Sequence, residues 1–165
     1  MDSNQAQEVS VSVLLISLFN KEILVPKVMV VDILSWDEEL YLPARNNPKA
    51  WKIGLYLWQE NQVPLVCIDT LIQGEAQSNE MYKPKVAIIK SLQQNSENQF
   101  YAVRCDGFPR PLILGEQSLN NLAVEQDQDW VNYSISIGSR VLDILDFNQL
   151  ENAIWDEQEL ISHTA

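Results

Sequence analysis

The residues best suited by type to do chemistry are carboxylates, and the densest run of them is Asp37-Glu38-Glu39. A hard cation takes oxygen ligands of this kind, but the run lacks the glycine and the alternating ligands of a calcium loop, so solvated loop charge is the expectation. Asp and Glu recur throughout the chain, and no two stand out by context as an acid and a base. His163 is the one histidine, near the C-terminal end, which leaves no zinc set and no His-based triad. Cys67 and Cys105 show no CxxC spacing and sit in apolar, strand-like runs, where a thiol serves as a small buried hydrophobe. The five glycines form neither GxGxxG nor a P-loop, and Ser118 and Ser134 lack a nucleophile elbow. No catalytic residue, cofactor site or metal site is expected, and the chain reads as a non-enzyme.

Tryptophan is the other conspicuous type. Trp36, Trp51, Trp58, Trp130 and Trp155 mostly fall at the edges of apolar runs, where aromatic side chains serve as lids over a core or as anchors in protein contacts. Trp58 borders the polar hump Gln59-Glu60-Asn61-Gln62, and Trp155 is expected to face away from the Leu150 and Ile154 line. These two are the first candidates for contact.

The elements that must position such residues are short, rich in β-branched and aromatic side chains, and separated by polar turns, the pattern of a barrel or sandwich. Residues 11–19 and 22–25 pair about a turn at Asn20-Lys21, and Pro26 stops the second strand. Val28, Val31 and Ile33-Leu34 are spaced as the inward side of a helical turn. Residues 35–50 read as loop. Strands follow at 53–58 and 63–68, with Asp69 placed to cap a turn through Leu71-Ile72. The polar stretch 73–83 marks a connection between two halves. The second half repeats the recipe at 85–92, 100–105 and 110–114, then an acidic loop over 120–129. Strands 131–137 and 140–145 flank Gly138-Ser139, a hairpin signal. Asp146 with Gln149 forms a capping box, and Phe147, Leu150, Ile154 and Leu160-Ile161 recur at helical spacing. Two runs, VPLVCID at 63–69 and RVLDILD at 140–146, are each a strand closed by Asp and followed by a helical turn.

Charge limits the partners. Twenty-three acids against eleven bases give a formal net charge of −12, and residues 116–165 hold 10 acids and one base. Such a surface repels phosphate backbones and anionic lipid heads, so nucleic acid is not an expected partner. The apolar runs are too short to cross a bilayer, and the polar residues 1–9 read as a flexible tail without the basic start of a signal peptide. Direct membrane insertion is not expected and a cytoplasmic location is.

Taken in order, these pieces resemble a CheW-like coupling domain, the adaptor that ties chemoreceptors to a chemotaxis histidine kinase. The likeness runs from about Leu14 to Leu150. FNKEILVPKVMVVDIL at 19–34 is similar to the family's strand, turn, strand ending in Pro, and then Val and an acid, here Val30 and Asp32. Pro43 and Pro48 precede Trp51 and Gly54, and Gly54 stands at the family's distance from Val63-Pro64. YAVRCDGF at 101–108 and ILDFNQL at 144–150 resemble two later motifs. Two departures stand out. The family carries Arg-Gly at the hairpin tip where this chain has Gln59-Glu60, and the family's Asp three residues after Val-Pro falls on Cys67. Divergence of this kind is similar to accessory members of pilus-controlling systems, which implies twitching motility.

The resemblance implies a mainly β fold of two small five-stranded β-barrels packed together, with short connecting helices and a C-terminal helix. The domain would span 10–160, with the connection near 73–84. It implies a non-enzymatic adaptor whose partners are a chemotaxis-type histidine kinase and the signalling domain of a methyl-accepting chemoreceptor. Partner-binding candidates are Val28, Val31 and Leu34 from the early segment, Leu55 and Leu57 from the hairpin, and Trp58, Gln59 and Glu60 at its tip. All five aliphatic residues are equally readable as core. The alternative is a β-barrel small-ligand carrier or carboxylate-based enzyme, which requires an enclosed polar pocket.

Overall fold

The computed structural model describes residues 9–19, 21–44, 50–74, 82–93, 99–125 and 129–156. The first hairpin is β1 (Ser10–Ser17) with β2 (Glu22–Pro26), its turn closed by Leu18 N–H donating to the Lys21 carbonyl at 2.8 Å. A 3-10 turn at Lys27–Met29 leads to β3 (Val30–Ser35). The helical turn expected over 28–34 is therefore confined to this 3-10 turn, and residues 30–34 are extended strand. The 3.6-residue spacing there comes from a bulge between Val30 and Asp32, which shifts the side-chain alternation by one residue. A second 3-10 turn at Glu38–Leu40 and the short β4 (Tyr41–Pro43) occupy the stretch read as loop. Then come β5 (Lys52–Trp58), β6 (Asn61–Val66) and α1 (Ile68–Gln73), followed by β7 (Pro84–Lys90), β8 (Phe100–Asp106) and β9 (Arg110–Gly115). A short α2 (Glu116–Leu119) precedes β10 (Leu122–Val124), which lies in the expected acidic loop; β11 (Val131–Ile137), β12 (Arg140–Leu145) and α3 (Phe147–Ile154) complete the chain. Leu160-Ile161, His163, Pro48 and Asn20 lie outside the described residues.

The strands form two six-stranded sheets, β10-β11-β12-β2-β1-β9 and β3-β7-β8-β6-β5-β4. The count is one more per sheet than expected, because each gains a three-residue edge strand, β4 or β10. Strands β1–β6 correspond in order to β7–β12: each set begins with a hairpin, each third strand crosses to pair with the other set's first strand, and each sixth strand runs parallel to the other set's second. Each sheet is therefore built from strands of both sets. The passages between sheets lie at Lys27–Met29 and at 107–109. This exchange makes neither sheet complete without the other half of the chain.

Each sheet curls around its own interior. Trp58 on β5 reaches Asp32 on β3 although three strands separate them along the sheet, so its two sides meet. One interior holds Tyr56, Trp58, Val63, Leu65, Val86, Ile88 and Ala102, and the other Val13, Leu15, Leu24, Leu114, Ile135 and Leu142. Both barrels are filled by side chains, unlike the hollow barrel of a ligand carrier. The largest cluster lies between them: Leu14 and Ile16 of β1 share it with Ala87 and Ile89 of β7, Tyr101 and Val103 of β8, and Leu145, Leu150 and Ile154. Alternate residues of β1 thus face a barrel interior and the seam. A strand buried on both faces explains the continuous apolar run VLLI.

The helices seal the seam. Asp146 Oδ1 accepts the Gln149 N–H at 3.0 Å, as the capping box requires, while the Gln149 side chain turns away to accept the Trp130 N–H at 3.0 Å. In α1 the cap position belongs to Cys67, and Asp69 is buried inside the helix, where it accepts the Phe19 N–H at 2.7 Å. The expected Asp69 cap is therefore a tether on the first hairpin. Glu151 of α3, wholly buried, accepts Ser91 Oγ at 2.6 Å, the Leu92 and Gln93 N–H groups at 2.8 and 3.0 Å, and the Tyr101 hydroxyl at 3.2 Å. Burial, then the adjoining Glu151 carboxylate, drives the Tyr101 hydroxyl far above the ordinary phenol range. Lys52 Nζ closes the far end of α3 by donating to the Ile154 carbonyl at 2.8 Å.

Candidate functional site

The β5–β6 hairpin turns through two residues, Gln59 at φ 49° and Glu60 at φ 66°, between the cross-strand pair Trp58 and Asn61. Two left-handed residues in succession are the mark of a type I′ turn, which matches strand twist and ordinarily recruits Asn-Gly. Neither Gln nor Glu favours this backbone. Asn61 Nδ2 donates to the Gln59 carbonyl at 3.2 Å, and both turn residues are exposed.

The base of the turn is anchored in the barrel interior. Trp58 is buried, its ring meets Phe100 edge-on with centroids 5.0 Å apart, and its indole N–H donates to Asp32 Oδ2 at 3.0 Å. Trp58 is therefore a core residue, not an exposed tip contact, because alternation along β5 sends Tyr56 and Trp58 inward. Leu34 likewise packs against the interior cluster. Deeper in the barrel, the Tyr56 hydroxyl accepts the Asp37 N–H at 3.0 Å, and Trp36 stacks near Tyr41 and Tyr56 with the Arg104 guanidinium 4.6 Å above its ring. Burial raises the Tyr56 and Tyr41 hydroxyls above their ordinary range. Asp37 caps the following 3-10 turn by accepting the Glu39 N–H at 3.0 Å, so part of the acidic triplet is structural.

The outward face of the hairpin differs. Leu55 and Leu57 alternate with the buried aromatics, Leu57 being 40% exposed, and Leu55 stands directly between Leu42 of β4 and Pro64 of β6. Leu42 is 52% exposed. Sequence reading missed Leu42 and Pro64, because Tyr41–Pro43 is too short a strand to show alternation. Gly54 holds β4 in place: a Cβ there would lie 2.2 Å from the Leu42 carbonyl oxygen. Val28 is 86% exposed on its 3-10 turn and Val31 projects at the bulge. These two lie on β3 and the turn before it, separated from β5 by three strands along the sheet but brought to it where Trp58 reaches Asp32. Of the eight candidates, Trp58 is buried, Leu34 and Leu55 are half-buried, and Val28, Val31, Leu57, Gln59 and Glu60 are exposed.

A separate cleft lies on the other barrel, lined by Phe19, Gln73, Val141 and the ion pairs Lys21 to Asp143 at 2.8 Å and Arg140 to Glu22. With Glu125, its lining holds three acids against two bases. Trp155, expected to point away from the Leu150 and Ile154 line, is half-buried against the seam. Cys67 and Cys105 are free and buried, and burial pushes the Cys105 thiol up to about 12. Among the described residues, no three His, Cys, Asp or Glu side chains gather as metal ligands, and no helix is long and apolar enough to cross a membrane.

No protein-family model matches the sequence, and no curated protein matches it significantly. The fold does match: the scaffolding protein TtCheW from Thermoanaerobacter tengcongensis superposes with a TM-score of 0.68 at 10% identity, over 88% of this chain and 90% of that one. Two six-stranded, mutually completed barrels, a filled seam and this correspondence over most of both chains give the molecule a CheW-like fold.

Proposed function

We propose that this protein is a non-enzymatic adaptor of a chemosensory array that bridges the signalling domain of a methyl-accepting chemoreceptor and a chemotaxis-type histidine kinase. The observation that carries the reading is the likeness to a scaffolding protein across nearly the full length of both chains. Side-chain-filled barrels and exposed apolar residues such as Val28, Leu42 and Leu57 support a molecule that works through its surface. Its site of action is the cytoplasm, where receptor signalling domains and their kinases meet. The Gln59-Glu60 tip supports a place among accessory adaptors of pilus-controlling systems, with twitching as the motility controlled.

The test is direct binding of the purified protein to receptor signalling domains and kinase regulatory domains from its own genome, by calorimetry. Micromolar or tighter binding to both is expected. Binding to neither overturns the reading, and a deletion strain that twitches normally removes the pilus assignment.

A further inference from the structure

The cleft beside β11 and β12 is a surface hollow of about 810 Å³, a volume that suits a small organic molecule. Its floor is a row of polar side chains. Ser134 of β11 and Asp143 of β12 are cross-strand partners on the face that lines it, and Ser134 Oγ donates to Glu125 Oε1, just past β10, at 2.8 Å. On the other side Lys21, from the turn of the first hairpin, donates to Asp143 Oδ2 at 2.8 Å. Phe19 and Val141, 37% and 63% exposed, supply apolar walls.

Asp143 is only 8% exposed, and a charge held so far from water is costly unless partners replace its hydration. Lys21 satisfies one oxygen. Among the described residues the other, Oδ1, accepts no hydrogen bond, and it is not sealed from the cleft. The fold itself needs no carboxylate at this place. Counted outward from their two-residue turns, the cross-strand pair Ser134 and Asp143 of one barrel matches Leu55 and Pro64 of the other, where two uncharged residues hold the same position in the sheet. Glu125 brings a second carboxylate, whose Oε2 also accepts no hydrogen bond among the described residues. With Lys21 paired to Asp143 and Arg140 to Glu22, Glu125 is the surplus charge of the lining.

We propose that this cleft binds a small organic cation, a primary ammonium ion carried on an apolar body. An ammonium group offers three N–H donors. Asp143 Oδ1, Glu125 Oε2 and a lone pair of Ser134 Oγ are three acceptors grouped about one cross-strand pair, and two of them are charged, which strengthens the hydrogen bonds they accept. One positive charge on the ligand matches the surplus acid. A carboxylate would meet that acid and find Lys21 and Arg140 already paired. A metal ion is not the occupant, because Lys21 Nζ stands against Asp143 and, among the described residues, no three His, Cys, Asp or Glu side chains gather as ligands. The apolar body lies against Phe19 and Val141, and its burial supplies the rest of the affinity. The formal net charge of −12 draws cations towards the whole surface, and the cleft adds the geometry that retains one.

The experiment titrates the full chain by calorimetry with phenethylammonium and with two probes of similar shape, phenethyl alcohol and phenylpropionate. Phenethylammonium should bind saturably at one site with submillimolar affinity and raise the melting temperature. The alcohol should bind at least about tenfold more weakly, and phenylpropionate should show no saturable binding. Glu125→Gln and Asp143→Asn should each weaken the amine by about tenfold, with a melting curve to show that each variant is folded. Val141→Ser, which removes an apolar wall, should weaken it several-fold. If Asp143→Asn does not fold, Glu125→Gln and Val141→Ser carry the test. Glu60→Gln removes an exposed acid from the other barrel and should leave binding unchanged. Absence of saturable amine binding overturns the inference, and so does a loss in Glu60→Gln equal to that in Glu125→Gln, the mark of general attraction to an acidic surface. Either result leaves the adaptor reading standing.

Discussion

The indole N–H of Trp58 donates to the Asp32 carboxylate at 3.0 Å, across the interior of a barrel and between strands 26 residues apart in sequence. This one contact joins β5 to β3, and it moves Trp58 from the candidate interface to the core. Trp58→Ala should cost about 3–5 kcal/mol, since it removes a packed ring and leaves a void beside Phe100. Trp58→Phe should cost less, because the ring contact survives and only the donor to Asp32 is lost. Denaturant titration separates the two; a Trp58→Ala protein as stable as wild type would return the residue to the surface.

Glu151 is the polar hinge between α3 and the segment that follows β7. Glu151→Ala leaves the Ser91 and Tyr101 hydroxyls and two backbone N–H groups without their acceptor, and should destabilise the fold by about 3 kcal/mol or more. Glu151→Gln keeps one acceptor oxygen and should lose less. Hydrogen exchange at Leu92 and Gln93 should accelerate in both variants, which locates the loss at this joint.

Cys67 and Asp146 occupy matching cap positions ahead of α1 and α3, but only Asp146 accepts a backbone N–H. Asp146→Ala should cost about 0.5–2 kcal/mol, and Asp146→Asn, which keeps an acceptor oxygen for the Gln149 N–H, should cost less. Melting curves check both, and equal losses would mean that the cap hydrogen bond adds nothing.

Burial raises the Cys105 thiol from its ordinary 9.0 to about 12, with Asp106 adding to the effect. A raised value favours the neutral thiol in the fold, so its contribution is complete below about pH 9 and is lost as the pH rises towards 12. Stability should fall over that window, and Cys105→Ala should show a shallower fall than wild type in melts at pH 8 and pH 11, the difference being the linkage of about one thiol. An identical slope in the two proteins would contradict the burial.

Much of the architecture was legible locally. Short runs rich in β-branched and aromatic residues marked the strands, Gly138-Ser139 marked a two-residue hairpin, and Asp146 with Gln149 marked the last helix. These signals depend on neighbours in the chain. The three-residue strands β4 and β10 carried none, since alternation needs more residues than they have. In Leu55-Tyr56-Leu57-Trp58 every residue is apolar, so nothing in the pattern says which side faces inward.

The amino-acid sequence by itself determined the class: short β elements around apolar interiors, an acidic surface, a hairpin tip of Gln and Glu, and the order of motifs that resembles a coupling domain. Tertiary structure alone decided the rest. Exchange of β3 and β9 between halves makes each barrel depend on strands from the other half, and Trp58 is core because Asp32 lies opposite it after the sheet curls. Burial is a property of both partners in a contact, and here the partners lie tens of residues apart. Leu57 remains exposed, and Leu55 half-buried, because the seam that covers Val66, further along the same hairpin, does not include them.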